Sequence, residues 1–201
     1  MPTTELDPKA MTKVGEIIES ATDQCIAQSY ELDTAPPLGS LVRVIREDGT
    51  IIYGVVSTIE TRPLDPGRRP IARGRDATSL KEIHQQHPQL KELFRTEFGL
   101  KVLGYEANAL HYYLPPLPPE VHQLVYACDP EQLLHFSQRL GFLPLLLGGP
   151  DSDEVAGAFL RTAARARGAD GAAFLVQAGK SIVNLLKGDA PRLNALLARL
   201  R

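Results

Sequence analysis

Outside one inserted stretch, the apolar residues of this chain change their period at Asp129. Before that point they come in short β-branched runs separated by Gly and Pro; after it they recur every three or four residues. A period near two suits a strand and a period of 3.6 suits an amphipathic helix, so the two stretches fold differently. The reading is an α+β chain: a strand-rich region over 1–128, with a loop and helix inserted at about 62–99, then an all-helical region over 129–201. In 201 residues, a hydrophobic content of 43% supplies a packed core.

Thr12 to Ile18 and Cys25 to Leu32 read as short strands, the second ending at the turn-forming Thr34-Ala35-Pro36-Pro37. Leu41 to Ile45 and Thr50 to Ile59 flank Arg46-Glu47-Asp48-Gly49, and an Asp-Gly step accepts the positive φ of a tight turn, which predicts a hairpin. From Arg62 to Asp76, Pro, Gly and Arg displace the apolar pattern and predict an exposed loop. Ser79 stands three residues before Glu82, the spacing of a reciprocal helix cap. Leu80 and Ile83, then Leu90, Leu93 and Phe94 beyond Pro88, predict a broken helix ending near Gly99. Strand character returns at Leu100 to Ala107, His111 to Leu114 and Gln123 to Ala127, with Pro115-Pro116-Leu117-Pro118-Pro119 as a stiff crossing.

Asp129 is placed to cap a helix with Pro130 at its first position and Gln132 at the reciprocal position. Three more helices are expected: Ser152 to Arg167, Ala172 to Lys187 and Ala190 to Leu200, broken by Gly168, Gly171 and Gly188.

The glycine-spaced strands Val14-Gly15-Glu16-Ile17-Ile18, Leu38-Gly39-Ser40-Leu41-Val42-Arg43-Val44 and Tyr53-Gly54-Val55-Val56 resemble the HAS-barrel. That family is the small β-barrel at the N-termini of HerA-type hexameric DNA translocases and of rotary ATP synthase ring subunits. The similarity runs from about Thr12 to Ala127, with the insertion interrupting it, and departs where Pro119 is followed by Glu120 rather than Gly. It implies a small β-barrel that packs into a ring or docks a partner protein and performs no chemistry. Here a short helical region follows it in place of an ATPase core.

Motifs that suggest catalysis do not survive their own geometry. Ala178-Gly179-Lys180-Ser181 ends like a phosphate loop, but the earlier glycine that such a loop needs is replaced by Phe174. Phe174, Ala178 and Ile182 also form one helical stripe, which engages the neighbouring amides in helix hydrogen bonds. His84 and His87 lack a completing carboxylate or cysteine, and Pro88 forces His87 out of a regular helix. His111, His122 and His135 are isolated in sequence, and neither Cys25 nor Cys128 has the flanks of an activated thiolate. Asp151, Asp153 and Glu154 suit the first turn of a helix. The expectation is a non-enzyme without cofactor or metal.

The formal net charge of -2 gives no global attraction to phosphate backbones or anionic membranes. One local cluster stands against it: Arg62, Arg68, Arg69, Arg73 and Arg75, opposed within that stretch only by Asp65. A guanidinium fork pairs with phosphate or carboxylate, so the loop can face solvent and the protein's own acids, an acidic protein partner, nucleic acid or a phosphorylated small molecule. A second candidate surface is the stripe Leu193, Leu196, Leu197 and Leu200, which either closes the helical core or meets another subunit. Two unpaired-spacing cysteines and a polar N-terminus point to a cytoplasmic protein. The longest apolar run, Leu140 to Gly149, covers about half of the ~20 residues a membrane span needs. Two function classes follow. One is a barrel adaptor that assembles with itself, with a separate ATPase or with another large complex; the other is an accessory nucleic-acid binder using Arg62 to Arg75.

Overall fold

The computed structural model describes residues 12–65, 67, 70–149 and 152–200. Strands β1 (Lys13–Ser20), β2 (Gln24–Gln28), β3 (Leu41–Ile45), β4 (Ile51–Pro63), β5 (Phe94–Glu106), β6 (Leu110–His111) and β7 (Leu124–Ala127) pair antiparallel in the order β2-β1-β7-β3-β4-β5-β6. β2 pairs in addition with β5, from Gln24 opposite Lys101 to Gln28 opposite Glu97, and this contact closes a barrel of 6 strands. Closure removes the open edges along which sheets recruit other chains. The α+β architecture expected from the change of period is therefore present, with the closed barrel in the N-terminal half and helices in the C-terminal region.

Strand alternation sorts the apolar residues into two cores. Ile17, Val42, Val44, Ile52, Phe98 and Leu100 belong to one cluster, which fills the barrel as six strands require. Leu41, Tyr53, Val55 and Leu103 point the other way and join a second cluster built with the C-terminal helices. Both faces of β3 and of the first half of β4 are thus covered, which is why their sequences read as nearly unbroken apolar runs. The β3–β4 turn forms as its Asp-Gly step predicts: Gly49 takes φ 82°, and the Arg46 amide donates to the Thr50 carbonyl at 2.9 Å.

The insertion is shorter than its sequence suggests. Instead of spanning 62–99 it occupies 64–93, because β4 continues to Pro63 and β5 already begins at Phe94. Arg62 lies opposite Arg95 and Glu60 opposite Glu97 in a ribbon that outruns the rest of the barrel. Charged residues on this ribbon hid its alternation, and Phe94 follows Leu90 and Leu93 at a spacing that mimics a helix. Helix α1 (Leu80–Gln86) and a 3-10 turn over Pro88–Leu93 form the rest of the insertion. The Ser79 hydroxyl caps α1 at the Glu82 amide, but the Glu82 carboxylate bonds Thr78 instead of completing the reciprocal cap. The expected strand from His111 to Leu114 also differs: β6 ends at His111, and beyond it the chain leaves the sheet.

The proline crossing lies against the barrel through its carbonyls, which still accept hydrogen bonds: Ser20 donates to Pro119 at 2.5 Å and Arg46 to Pro118. Next come α2 (Pro130–Phe136), α3 (Leu143–Leu146), α4 (Ser152–Ala166), α5 (Gly171–Leu185) and α6 (Ala190–Arg199). Asp129 and Gln132 form the expected reciprocal cap on α2. Helix α3 was not expected; it gathers the apolar run around Pro144 so that Leu143 and Leu146 are fully buried. Helix α4 is the hub, with Ala156, Phe159, Leu160 and Ala163 fully buried between the other helices and the barrel. Gly39 lets the approach to β3 pass close beneath α4: it has φ +79°, and a Cβ there would stand 2.6 Å from the Phe159 amide nitrogen.

Candidate functional site

The arginines singled out by sequence do not form one loop. Arg62 sits on β4, where its guanidinium bonds Glu60 at 2.6 Å and stands 3.8 Å from Glu97. Glu97 is buried, and Arg95 pairs with it from the neighbouring position at 2.5 Å. Like charges face each other directly across this ribbon, and each finds its counterion along a diagonal or a strand. Arg62 is therefore neutralised by the protein's own acids, and the hydrogen bond to Glu60 makes the Arg62 guanidinium hold its proton more firmly than usual. Arg68 and Arg69 lie outside the described residues. Arg73 and Arg75 are exposed on the insertion and make no ion pair with any described residue.

The same insertion carries apolar side chains that no described residue covers. Neither α1 nor the following 3-10 turn has a single buried residue. Ile71 is 76% exposed, Leu80 63%, Leu64 49% and Leu93 48%. Such residues normally supply the inward stripe of a helix, and their crowding on one short segment departs from the scattered exposure of an ordinary surface. Between the loop and the helical part runs a cleft of about 680 Å³ lined by Pro63, Leu64, Pro70, Ile71, Ile83, Leu90, Leu93 and Phe94, with Asp65 and Arg73 as its polar lining. Gly74 brings the loop against Ile83: a Cβ at Gly74 would approach the Ile83 Cδ1 to 2.7 Å. Sequence reading found the arginines and the apolar stripe separately. It missed that the β4–β5 ribbon folds one back over the other.

The leucine stripe of α6 takes the other role open to it. Leu196 and Leu200 are buried, while Leu193 and Leu197 pack partly against the same core as Phe159 and Phe174. Arg192 secures the start of α6, donating to Asp153 at 2.8 Å and to the Leu147 carbonyl at 2.7 Å. Glu154, its carboxyl held below the usual range by hydrogen bonding from Arg199, does the same at the far end of α6. Asp153 and Glu154 do lie in the first turn of α4, as their sequence position suggested, while Asp151 is outside the described residues.

A polar chain at the seam of barrel and helices was invisible in the sequence. The Tyr53 hydroxyl donates to Glu106 at 2.8 Å, and the other Glu106 oxygen stands 3.3 Å from His135 Nε2. Burial, then the hydrogen bond to Glu106, push the Tyr53 phenol well up and hold it protonated, as suits a donor that fixes α2 to β4 and β5. Arg43, its register neighbour on β3, is buried with its Nε lacking a partner among the described residues. His111 meets Tyr113 at 3.0 Å and His122 meets Glu16 at 2.8 Å, each on a different part of the barrel. His84 is in the last turn of α1 and His87 ends it with non-helical angles. Among the described residues no group of three or more His, Cys, Asp and Glu is arranged to hold a metal ion. Lys180 and Ser181 lie within α5, where Ala178 and Ile182 are fully buried.

Barrel, helical cover and insertion together define the class: a small closed antiparallel β-barrel with an excursion between two strands that exposes Leu64, Ile71, Leu80 and Leu93 together with Arg73 and Arg75. No protein-family model matches the chain, and no curated protein matches it in sequence. Among the described residues no helix is long and apolar enough to cross a membrane.

Proposed function

We propose that this protein is a non-catalytic β-barrel adaptor that docks a protein partner through the insertion between β4 and β5. The observation that carries this reading is the placement of the insertion. The helices take up the outward apolar face of β3 and β4, whereas Leu64, Ile71, Leu80 and Leu93 are left exposed on the insertion. A docking surface needs apolar anchors with a few directional charges around them, and the insertion offers both. The resemblance to the HAS-barrel supports assembly with itself, with a separate ATPase or with another large complex in the cytoplasm, since barrels of that family act by packing against neighbours.

The test is site-specific photocrosslinking in living cells of the native host. A photoreactive residue replacing Ile71 is expected to give a discrete protein adduct that persists after nuclease treatment. One replacing Glu47, on the β3–β4 turn, is expected to give none. Equal adducts at both positions, or no adduct at Ile71, would reject docking through the insertion.

The exposed Arg73 and Arg75 favour one second reading, accessory nucleic-acid binding. It requires affinity for DNA or RNA that falls steeply with salt and is lost in the double variant Arg73→Ala, Arg75→Ala. Arg62 no longer contributes to this reading, because its charge is committed to Glu60 and Glu97.

A further inference from the structure

We infer that the cleft of the insertion binds a short segment of a partner protein that presents bulky apolar side chains next to a carboxylate. This inference rests on the adaptor reading and specifies the chemistry of its docking site. Its volume of about 680 Å³ lies within the range of pockets that enclose most of a ligand, and exceeds what one side chain fills. The described walls are almost wholly apolar: Pro63 and Phe94 come from the two strands of the ribbon, Leu64 and Ile71 from the loop, and Ile83 and Leu93 from the helical part. Burying these surfaces favours an occupant with apolar side chains, because each exposed leucine or isoleucine gains by leaving water.

Charge decides between an apolar segment and an apolar-acidic one. Of the two charged lining residues among those described, Asp65 already has an interaction of its own, whereas Arg73 has no ion pair among the described residues. Arg75 stands two residues further along the loop, exposed and likewise without an ion pair among the described residues. An arginine beside an apolar wall is a better counterion than one in open solvent, since the wall excludes water from one side of the pair. A carboxylate complements this rim and a lysine or arginine is repelled by it. A protein segment is favoured over a nucleic acid by the walls themselves, which offer aliphatic side chains where single strands need aromatic stacking platforms.

Selection from a displayed random 12-residue peptide library against the full chain tests this. Enriched peptides are expected to combine Leu, Ile, Met or Phe with adjacent Asp or Glu, and synthetic copies to weaken roughly 5- to 10-fold against Arg73→Glu. Because Arg73 is exposed, this variant keeps the fold, which an unchanged melting temperature verifies. Selection repeated on Arg73→Glu is expected to switch the enriched flank from acidic to basic. Enrichment of peptides without acidic residues, an unchanged flank with the variant, or no enrichment would overturn the inference. The crosslinking experiment at Ile71 reads separately: an adduct there with failed peptide selection retains the adaptor and removes only the stated chemistry.

Discussion

Cys128 illustrates how a thiol is quieted by its place in the fold. It follows β7, its amide donates to the Leu41 carbonyl at 3.0 Å, and its side chain packs against the core shared by barrel and helices. Burial pushes the thiol up from 9.0 to about 12, against a smaller opposing pull from Arg43. Cys25, inside the barrel, is also raised by burial. A thiol raised in this way favours the protonated state on folding. Its contribution to stability is whole below pH 9 and is lost as pH rises from there through about 12, because the unfolded chain ionises first. At pH 8 a thiol-reactive disulfide reagent is expected to label neither cysteine of the native protein except at the rate of global unfolding. Stoichiometric labelling within the dead time of mixing would contradict the placement of both. The two thiols were legible as small buried hydrophobes because their flanks lack any activating pattern. Arg43 was not legible as buried, since its neighbours Val42 and Val44 mark the position as the outward side of a strand and only the helices cover that side.

At the scale of elements, caps and turns were the most readable features because their chemistry is local. Asp129 accepts from the Gln132 amide at 2.8 Å, and the Gln132 side chain returns a bond to the Asp129 amide at 3.1 Å. Replacing Asp129 by Ala removes the acceptor of the Gln132 amide and leaves only the bond that the backbone amide of residue 129 donates, and a loss of about 1 kcal/mol is expected in urea unfolding. Asp129→Asn keeps an accepting oxygen and is expected to recover most of it. Equal losses in both variants would show that the charge rather than the cap matters. Elements whose ends depend on distant neighbours were read less well. β4 and β5 each run for 13 residues, although their outer parts carry Glu60, Arg62, Arg95 and Glu97 in place of an apolar face. Cross-strand hydrogen bonding and diagonal ion pairs sustain the ribbon there, and neither leaves a hydrophobic period to detect. Helix α3 is the opposite case: an apolar run interrupted by Pro144 gives no period, yet proline fits the first turn of a helix.

The whole molecule is held together across the line where the sequence changes period. Leu41, Tyr53, Val55 and Leu103 of the barrel share one core with Phe136, Phe142, Phe159 and Leu160 of the helical region. Uncovering those four barrel side chains costs, at ~1.5–3 kcal/mol each, on the order of the total stability of an ordinary domain. Full-length protein is therefore expected to unfold in urea as a unit, with tyrosine fluorescence and helical circular dichroism changing together. The chain has no Trp, so tyrosines report the barrel. A fragment ending at Cys128 is expected to aggregate or to lose fixed side-chain packing. Two separated transitions, or a well-folded fragment, would show that barrel and helices are independent.

By itself the sequence determined where strands give way to helices, the Asp-Gly hairpin, the cap at Asp129 and the absence of a phosphate-loop geometry around Gly179-Lys180-Ser181. Each of these depends on residues close together in the chain, whose preferences act before any tertiary contact forms. Closure of the barrel through β2 and β5, burial of Arg43, neutralisation of Arg62 and the cleft beneath Arg73 were decided only by the tertiary structure. They arise where segments remote in sequence exclude water from one another or supply each other's counterions, and no local pattern records which segments will meet.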